Sequence, residues 1–97
     1  SAASDVYKRQ IADRMADIMQ EMGDSNRQVI SITHLPQIAA RGRVHYKVYK
    51  EDNENETNSH IRRLTDEERV EELAHMLSGA TLTEAALNNA RALLGKA

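Results

Sequence analysis

The chain has 97 residues, which suffices for one small domain that buries roughly 60–65% of its unfolded surface. Its formal net charge of −2 argues against a free-standing nucleic-acid-binding domain, which is usually strongly basic. The absence of cysteine excludes a disulfide framework and a thiolate metal site, and no apolar run approaches the roughly 20 residues of a membrane span. These features predict a cytoplasmic location and no membrane partner.

The first predicted element is an amphipathic helix that begins near Ile11 and ends near Gly23. Its apolar residues recur at helical spacing, and they are Ile11, Met15, Ile18, Met19 and Met22. Charged and amide side chains occupy the opposite face. We therefore expect the apolar stripe, with its three methionines, to pack in a core.

Residues 28–33 are predicted to form a buried strand of a parallel sheet, because both faces are apolar apart from small hydroxyls. The β-branched residues are Val29, Ile30 and Ile32. Such a strand needs neighbours on both sides, and because no other segment of this type is present, we expect the neighbours upstream. Pro36 then suits the first turn of a short helix over residues 35–41, closed by Gly42.

A β-hairpin is predicted after this short helix. Three apolar residues alternate with polar ones and predict a strand with one buried face, and they are Val44, Tyr46 and Val48. Residues 51–58 are acidic and polar, which indicates an exposed loop, and residues 59–64 form the returning strand.

Two helices complete the predicted order of elements. A capping box over residues 65–68 opens the first helix, and Gly79 ends it. A second capping box over residues 81–84 opens the last helix, and Gly95 stops it. The apolar face of this last helix consists of Leu82, Ala86, Ala90, Leu93 and Leu94.

His34 is the residue best placed for chemistry. It follows the predicted buried strand at the edge of the sheet where ligands bind in open α/β folds. A histidine at that edge can donate to a phosphate or position a water molecule. From the spacing alone a second interpretation stays open, in which His34 only caps the next turn.

The segment from residue 30 to residue 40, ISITHLPQIAA, resembles the switch-histidine segment of the RecN family. These proteins are bacterial double-strand-break repair ATPases, related to the SMC proteins, with an ABC-type head. Residues 67–79 and 82–94 resemble the two last helices of that family. The resemblance runs from about residue 11 to residue 94, and the order of the three segments makes it specific.

The resemblance implies an α/β fold, namely the C-terminal part of an ABC-type ATPase head over residues 11–97. In that family His34 contacts the γ-phosphate and the attacking water across a dimer of heads. Gln37 is a weaker candidate at the nucleotide site, since it also suits a helix surface. The implied cofactors are ATP and Mg²⁺ in the intact protein. The implied partners are the remainder of the head, a second head and, through the whole nucleoid-associated protein, DNA.

Several parts of such a head are missing from this sequence. There is no glycine-rich phosphate loop ending in Gly-Lys-Ser/Thr, no signature segment and no magnesium-binding Asp-Glu pair. Residues 1–10 stand where that pair is expected, and they are interpreted as a leader foreign to the domain or as a divergent native start. We therefore expect the chain to be inactive alone.

Two other functions remain open on the sequence. The hairpin and last helices suit a non-catalytic interaction or assembly module. A self-contained small enzyme with His34 as base is the weaker alternative, since no nucleophile lies at useful spacing.

The remaining polar clusters of the hairpin carry weaker hypotheses. One hypothesis places His45 and His60 facing each other across the hairpin in a two-histidine metal site. No carboxylate lies at clear ligand spacing, so no metal site is predicted. Four basic residues of the hairpin either contact DNA or form a solvated face, and they are Lys47, Lys50, Arg62 and Arg63.

Overall fold

Backbone hydrogen bonds in residues 1–95, the part of the chain that the computed structural model describes, form four helices and one antiparallel pair of strands. In chain order these are α1 (Ala2–Asp24), α2 (Pro36–Arg41), β1 (Tyr46–Asp52), β2 (Thr57–Arg63), α3 (Asp66–Ser78) and α4 (Glu84–Leu94). This mixture of helix and strand agrees with the predicted α/β class. Residues 96 and 97, the end of the predicted domain, lie outside the described residues. No helix within residues 1–95 has an apolar stretch long enough to cross a bilayer.

Helix α1 is longer than the sequence predicts at its start. The hydroxyl of Ser1 accepts a hydrogen bond from the Ser4 amide at 3.2 Å, and the helix then runs without interruption to Asp24. Its C-terminal cap is Ser25, two residues beyond the predicted Gly23. The expected division between residues 1–10 and residues 11–97 is therefore not marked by a break in secondary structure, and the origin of residues 1–10 stays a prediction.

The face by which α1 packs differs from the predicted one. Ala12 and Ala16 are buried, and α2 is the one described element against which α1 packs. Four members of the predicted core stripe are instead exposed, and they are Ile11, Met15, Ile18 and Met22. The predicted core role of this stripe is wrong in this structure, because the small alanine face contacts α2 and no described element covers the larger side chains.

The predicted buried strand over residues 28–33 is also wrong in this structure. The segment forms no hydrogen-bonded strand, and Ile30 and Ile32 are 82% and 103% exposed. A strand exists only where a neighbour pairs with its amides and carbonyls. Within residues 1–95 the two strands of the hairpin pair with each other, so residues 28–33 have no neighbour.

The predicted hairpin is present, with longer strands and a shorter loop. Tyr46 pairs with Arg63 at the open end and Asp52 with Thr57 beside the turn, so both strands extend into the predicted acidic loop. The turn is closed by a 2.8 Å hydrogen bond from the Asn53 amide to the Glu56 carbonyl.

The face of the hairpin that points toward the helices is the opposite of the predicted one. The predicted buried residues Tyr46 and Val48 are 59% and 70% exposed. The other face is anchored by charge, because Lys47 pairs with Glu72 of α3 at 2.8 Å and Arg62 pairs with Glu68. Since these ion pairs hold the polar face against α3, the apolar face points to solvent.

A small core joins α2, α3 and α4. Its buried members are Ala40, Leu73, Ala74, Ala86 and Ala90. Alanine side chains at these positions let the helices approach closely around Leu73, which is 1% exposed. This core places α2 between the two C-terminal helices and α1.

Local capping agrees with the sequence for α3 but not for α4. The Thr65 hydroxyl accepts from the Glu68 amide, and the Glu68 carboxylate accepts from the Thr65 amide, as predicted. For α4 the cap is Thr83, whose hydroxyl accepts from the Ala86 amide at 3.0 Å. The predicted second capping box is therefore wrong, and Leu82 lies before the helix rather than on its apolar face.

The core arrangement predicts a large loss of stability on truncating Leu73. We expect Leu73→Ala to lower the free energy of unfolding by about 2–5 kcal/mol, because it leaves a cavity among surrounding alanines that cannot fill it. Leu82→Ala removes the same atoms from a side chain that is 40% exposed and should cost roughly 1 kcal/mol or less. Urea unfolding followed by circular dichroism compares the two variants, and equal losses would contradict this description of the core.

Candidate functional site

His34 lies in the turn that leads into α2, with its side chain exposed. The hydroxyl of Thr33 accepts a 3.0 Å hydrogen bond from the amide of Leu35, so the two neighbours of His34 are joined across it. Leu35 has extended backbone geometry and Pro36 opens the helix, as the sequence predicts. The histidine is therefore presented to solvent at the beginning of α2.

The helix that follows His34 is anchored to α1. Arg41, in the last turn of α2, pairs with the Asp17 carboxylate and donates to the amide oxygen of Gln20. The Arg41 side chain is 16% exposed, so its guanidinium is partly removed from water. Such a charge-assisted, partly buried contact is stronger than an ion pair on an open surface.

The end of α2 is also joined to α3. One terminal nitrogen of Arg69 donates a 2.8 Å hydrogen bond to the carbonyl of Gly42, the C-terminal cap of α2. The other terminal nitrogen lies 3.5 Å from a carboxylate oxygen of Asp66, and the Arg69 side chain is 16% exposed. Arg69 was not predicted from the sequence. Its position four residues before Leu73 places it on the core-facing side of α3. A charged residue on that side is the sequence feature that could have indicated a buried contact.

Gln37, the second candidate residue, is half-buried in the first turn of α2. Within residues 1–95, the side-chain amide of Gln37 and the ring of His34 make no hydrogen bond. The structure brings these two candidates to one end of α2 without placing another polar side chain in hydrogen-bond contact with them. Their roles at a nucleotide site stay predictions.

The two histidines of the hairpin do not face each other, so that hypothesis is wrong. His60 lies opposite Tyr49, and their rings stack with centroids 5.3 Å apart. The ring of His60 is also 3.2 Å from a carboxylate oxygen of Glu51. His45 precedes β1, and its carbonyl accepts from the amide of Leu64. Within residues 1–95 no three potential metal ligands lie together.

His45 occupies a corner between α2 and α3. Its Nε2 atom is buried and, within the described residues, without a hydrogen-bond partner, as is the Nε atom of Arg69. Burial lowers the pKa of His45, and the positive charge of Arg69 lowers it further, while a hydrogen bond with the Ala39 backbone opposes this. Burial and the charge of Arg69 therefore both favour the neutral imidazole, which avoids a second positive charge beside Arg69.

The predicted basic cluster is divided between the two faces of the hairpin. Lys47 and Arg62 pair with carboxylates of α3, while Lys50 and Arg63 lie on the opposite, exposed face. Hydrogen bonding from the Thr65 backbone and from Arg62 lowers the pKa of the Glu68 carboxyl. Because two of the four cations are neutralised, the cluster does not form one continuous basic surface.

The sequence of this chain is similar to those of RecN proteins from several bacteria. The chain is 52% identical to DNA repair protein RecN of Deinococcus radiodurans over 80 residues, which are 82% of this chain and 14% of that protein. It is 42% identical to DNA repair protein RecN of Rickettsia felis over 85 residues, or 88% of this chain and 15% of that protein. It is 38% identical to DNA repair protein RecN of Vibrio cholerae over 77 residues, or 79% of this chain and 14% of that protein. No family profile matches the chain.

All three of these relatives carry the name DNA repair protein RecN. The chain belongs to the RecN family, which confirms the resemblance stated from its residues. It spans 14–15% of the length of these relatives.

The corner around His45 predicts a pH dependence of folding. Because the pKa of His45 is lower in the folded chain than in the unfolded chain, the unfolded chain binds a proton more readily. The resulting stability is present above about pH 6.5, the ordinary pKa of histidine, and is lost as the pH falls below it. We expect His45→Gln to reduce the slope of unfolding free energy against pH between about pH 7 and about pH 5. Identical slopes, measured by urea unfolding, would show that His45 is not responsible.

Proposed function

We propose that this chain is part of the ATP-hydrolysing head of a RecN-type protein acting in DNA double-strand-break repair and recombination. The observation that carries the proposal is 38–52% identity to proteins named DNA repair protein RecN, over about four-fifths of this chain. In this proposal the chain supplies the switch histidine, His34, with Gln37 as a weaker contact. ATP and Mg²⁺ bind when the phosphate loop and the acidic pair are present.

The role proposed for His34 is to contact the γ-phosphate and the attacking water. Phosphoryl transfer is catalysed mainly by positioning and by stabilising charge, since there is little covalent chemistry for the protein to perform. An exposed imidazole at the start of a helix anchored through Arg41 and Arg69 suits that role, because the donor is accessible and the backbone behind it is held.

The exposed apolar surfaces support an arrangement in which the remainder of the head covers this chain. Ile30 and Ile32 are largely exposed on a segment whose composition is typical of a buried parallel strand. The apolar stripe of α1 is exposed over most of its length. Contiguous exposed apolar residues are typical of surfaces that a partner covers. A second head across the nucleotide, and DNA contacted through the whole protein, complete the proposed set of partners.

A non-catalytic interaction or assembly module is the second candidate. The observation that favours it is the same exposed apolar surface, which would serve partner contact without any nucleotide chemistry. A substitution of His34 distinguishes the two candidate functions, because an assembly module has no need of an imidazole at that position.

The first test concerns the chain by itself. We expect the 97-residue chain neither to bind ATP tightly nor to hydrolyse it, because its sequence contains no phosphate loop and no magnesium-binding acidic pair. Isothermal titration with ATP and Mg²⁺, together with a phosphate-release assay, measures both properties. Micromolar affinity or sustained turnover would contradict this expectation.

The second test uses a full-length RecN-family protein that carries this segment. We expect His34→Ala to lower ATP turnover by roughly 10²–10³-fold while leaving ATP affinity nearly unchanged, since affinity depends on the phosphate loop and Mg²⁺. His75→Ala is the matched control, because His75 is an exposed histidine of α3 that lies away from α2 in the sequence. Turnover, nucleotide affinity and melting temperature are measured on the same preparations.

The alternative roles of His34 give different results in this assay. If His34 has no catalytic role, its loss should leave both turnover and the melting temperature nearly unchanged, because α2 has no side-chain capping hydrogen bond. Normal turnover would therefore reject the catalytic role and favour the assembly module.

A further inference from the structure

We propose that Thr33 is a positioning residue for His34, and this inference rests on the proposed function. Its hydroxyl accepts the amide hydrogen bond of Leu35 and thereby holds the backbone of His34 in one orientation against α2. Thr33 acts on the reaction only through His34 and does not itself touch the nucleotide.

The geometry that supports this role is a short closed turn around His34. The 3.0 Å bond from the Leu35 amide to the Thr33 hydroxyl joins the residue before His34 to the residue after it. A hydroxyl that accepts from a backbone amide two residues later restricts the residue between them. Thr33 is half-buried, so water competes less well for this bond than it would at a fully exposed position.

Leu35 connects this turn directly to the helix. Its amide donates to Thr33, while its carbonyl accepts from the amides of Ile38 and Ala39 at 3.1 and 3.0 Å. Both backbone groups of Leu35 are therefore engaged, one toward His34 and one in the first turn of α2. The position of His34 follows that of α2.

The helix itself is a fixed reference because side chains from two other helices hold it. Arg41 binds Asp17 and Gln20 of α1, and Arg69 of α3 binds the carbonyl of Gly42. Two of its own side chains, Ile38 and Ala40, are buried. By contrast, residues 28–32 form no backbone hydrogen bonds within residues 1–95, so in this part of the chain His34 is held from the helix side.

An interaction of this kind stabilises catalysis by keeping the donor in its productive geometry. Misplacement of a catalytic group reduces the rate without preventing substrate binding. Loss of the Thr33 hydroxyl should therefore lower kcat and leave KM for ATP nearly unchanged. A stabilising residue with no connection to His34 would lower the melting temperature without acting on kcat through that histidine.

The experiment uses a full-length RecN-family protein that carries this segment, with ATP as the probe. Thr33→Val preserves the shape of the side chain and removes the acceptor, whereas Thr33→Ser keeps the hydroxyl. We expect Thr33→Val to lower kcat by roughly 3–10-fold, the loss typical of one hydrogen bond, and Thr33→Ser to retain kcat within about twofold. Ser31→Ala is the matched control, since Ser31 is exposed in the same segment and its hydroxyl makes no hydrogen bond within residues 1–95.

A double-mutant cycle with His34→Ala separates positioning from general stabilisation. If Thr33 acts through His34, Thr33→Val should have no further effect on kcat once His34 is alanine. An equal loss of kcat in both backgrounds, or a loss that serine does not restore, would overturn the positioning role. A loss of kcat in Thr33→Val no larger than that in Ser31→Ala would also overturn the positioning role.

The cycle also distinguishes failure of this inference from failure of the proposed function. If His34→Ala leaves turnover normal, the catalytic role of His34 fails, and the positioning role of Thr33 fails with it. If His34→Ala abolishes turnover and Thr33→Val does not change kcat, only the inference about Thr33 fails.

Discussion

The structure depends on the packing of α2, because this six-residue helix is the element through which α1 contacts the C-terminal helices within residues 1–95. A helix of this length is unstable alone, because the hydrogen bonds of two turns do not offset the free-energy cost of nucleating the helix. It is held by the burial of Ile38 and Ala40. Its own Arg41 binds α1, and Arg69 of α3 binds the carbonyl of Gly42 at its C-terminal cap. Whatever displaces α2 therefore displaces His34.

The weakness of the core follows from the same packing. Among residues 1–95, six of the nine buried hydrophobic residues are alanine, so the core buries few large side chains. Many other large apolar side chains are exposed, on α1, on residues 29–32 and on the outer face of the hairpin. A chain that leaves this much apolar surface in water is stabilised further by any partner that covers it, and this links the fold to the proposal that the rest of an ATPase head surrounds it.

Two ion pairs, and the lack of an apolar surface to pack against within residues 1–95, together set which face of the hairpin turns inward. The pairs Lys47–Glu72 and Arg62–Glu68 hold the polar face against α3, while Tyr46, Val48 and Ile61 point outward. Each exposed ion pair is worth little, but the competing apolar face has no surface to pack against in residues 1–95. The orientation thus reflects which partners are present as much as the strength of the ion pairs.

The sequence by itself determined the features that depend on neighbouring residues. Pro36 and Gly42 bound α2, Thr65 and Gly79 bound α3, and the RecN family is recognisable from residues 30–40 and the last two helices. It also placed His34 just before a short helix. Tertiary structure alone decided whether residues 28–33 form a strand, which faces of α1 and the hairpin are buried, and that Arg69 reaches Gly42. The physical reason is that caps are satisfied within four residues, whereas strand pairing and face burial require partners far away in the sequence.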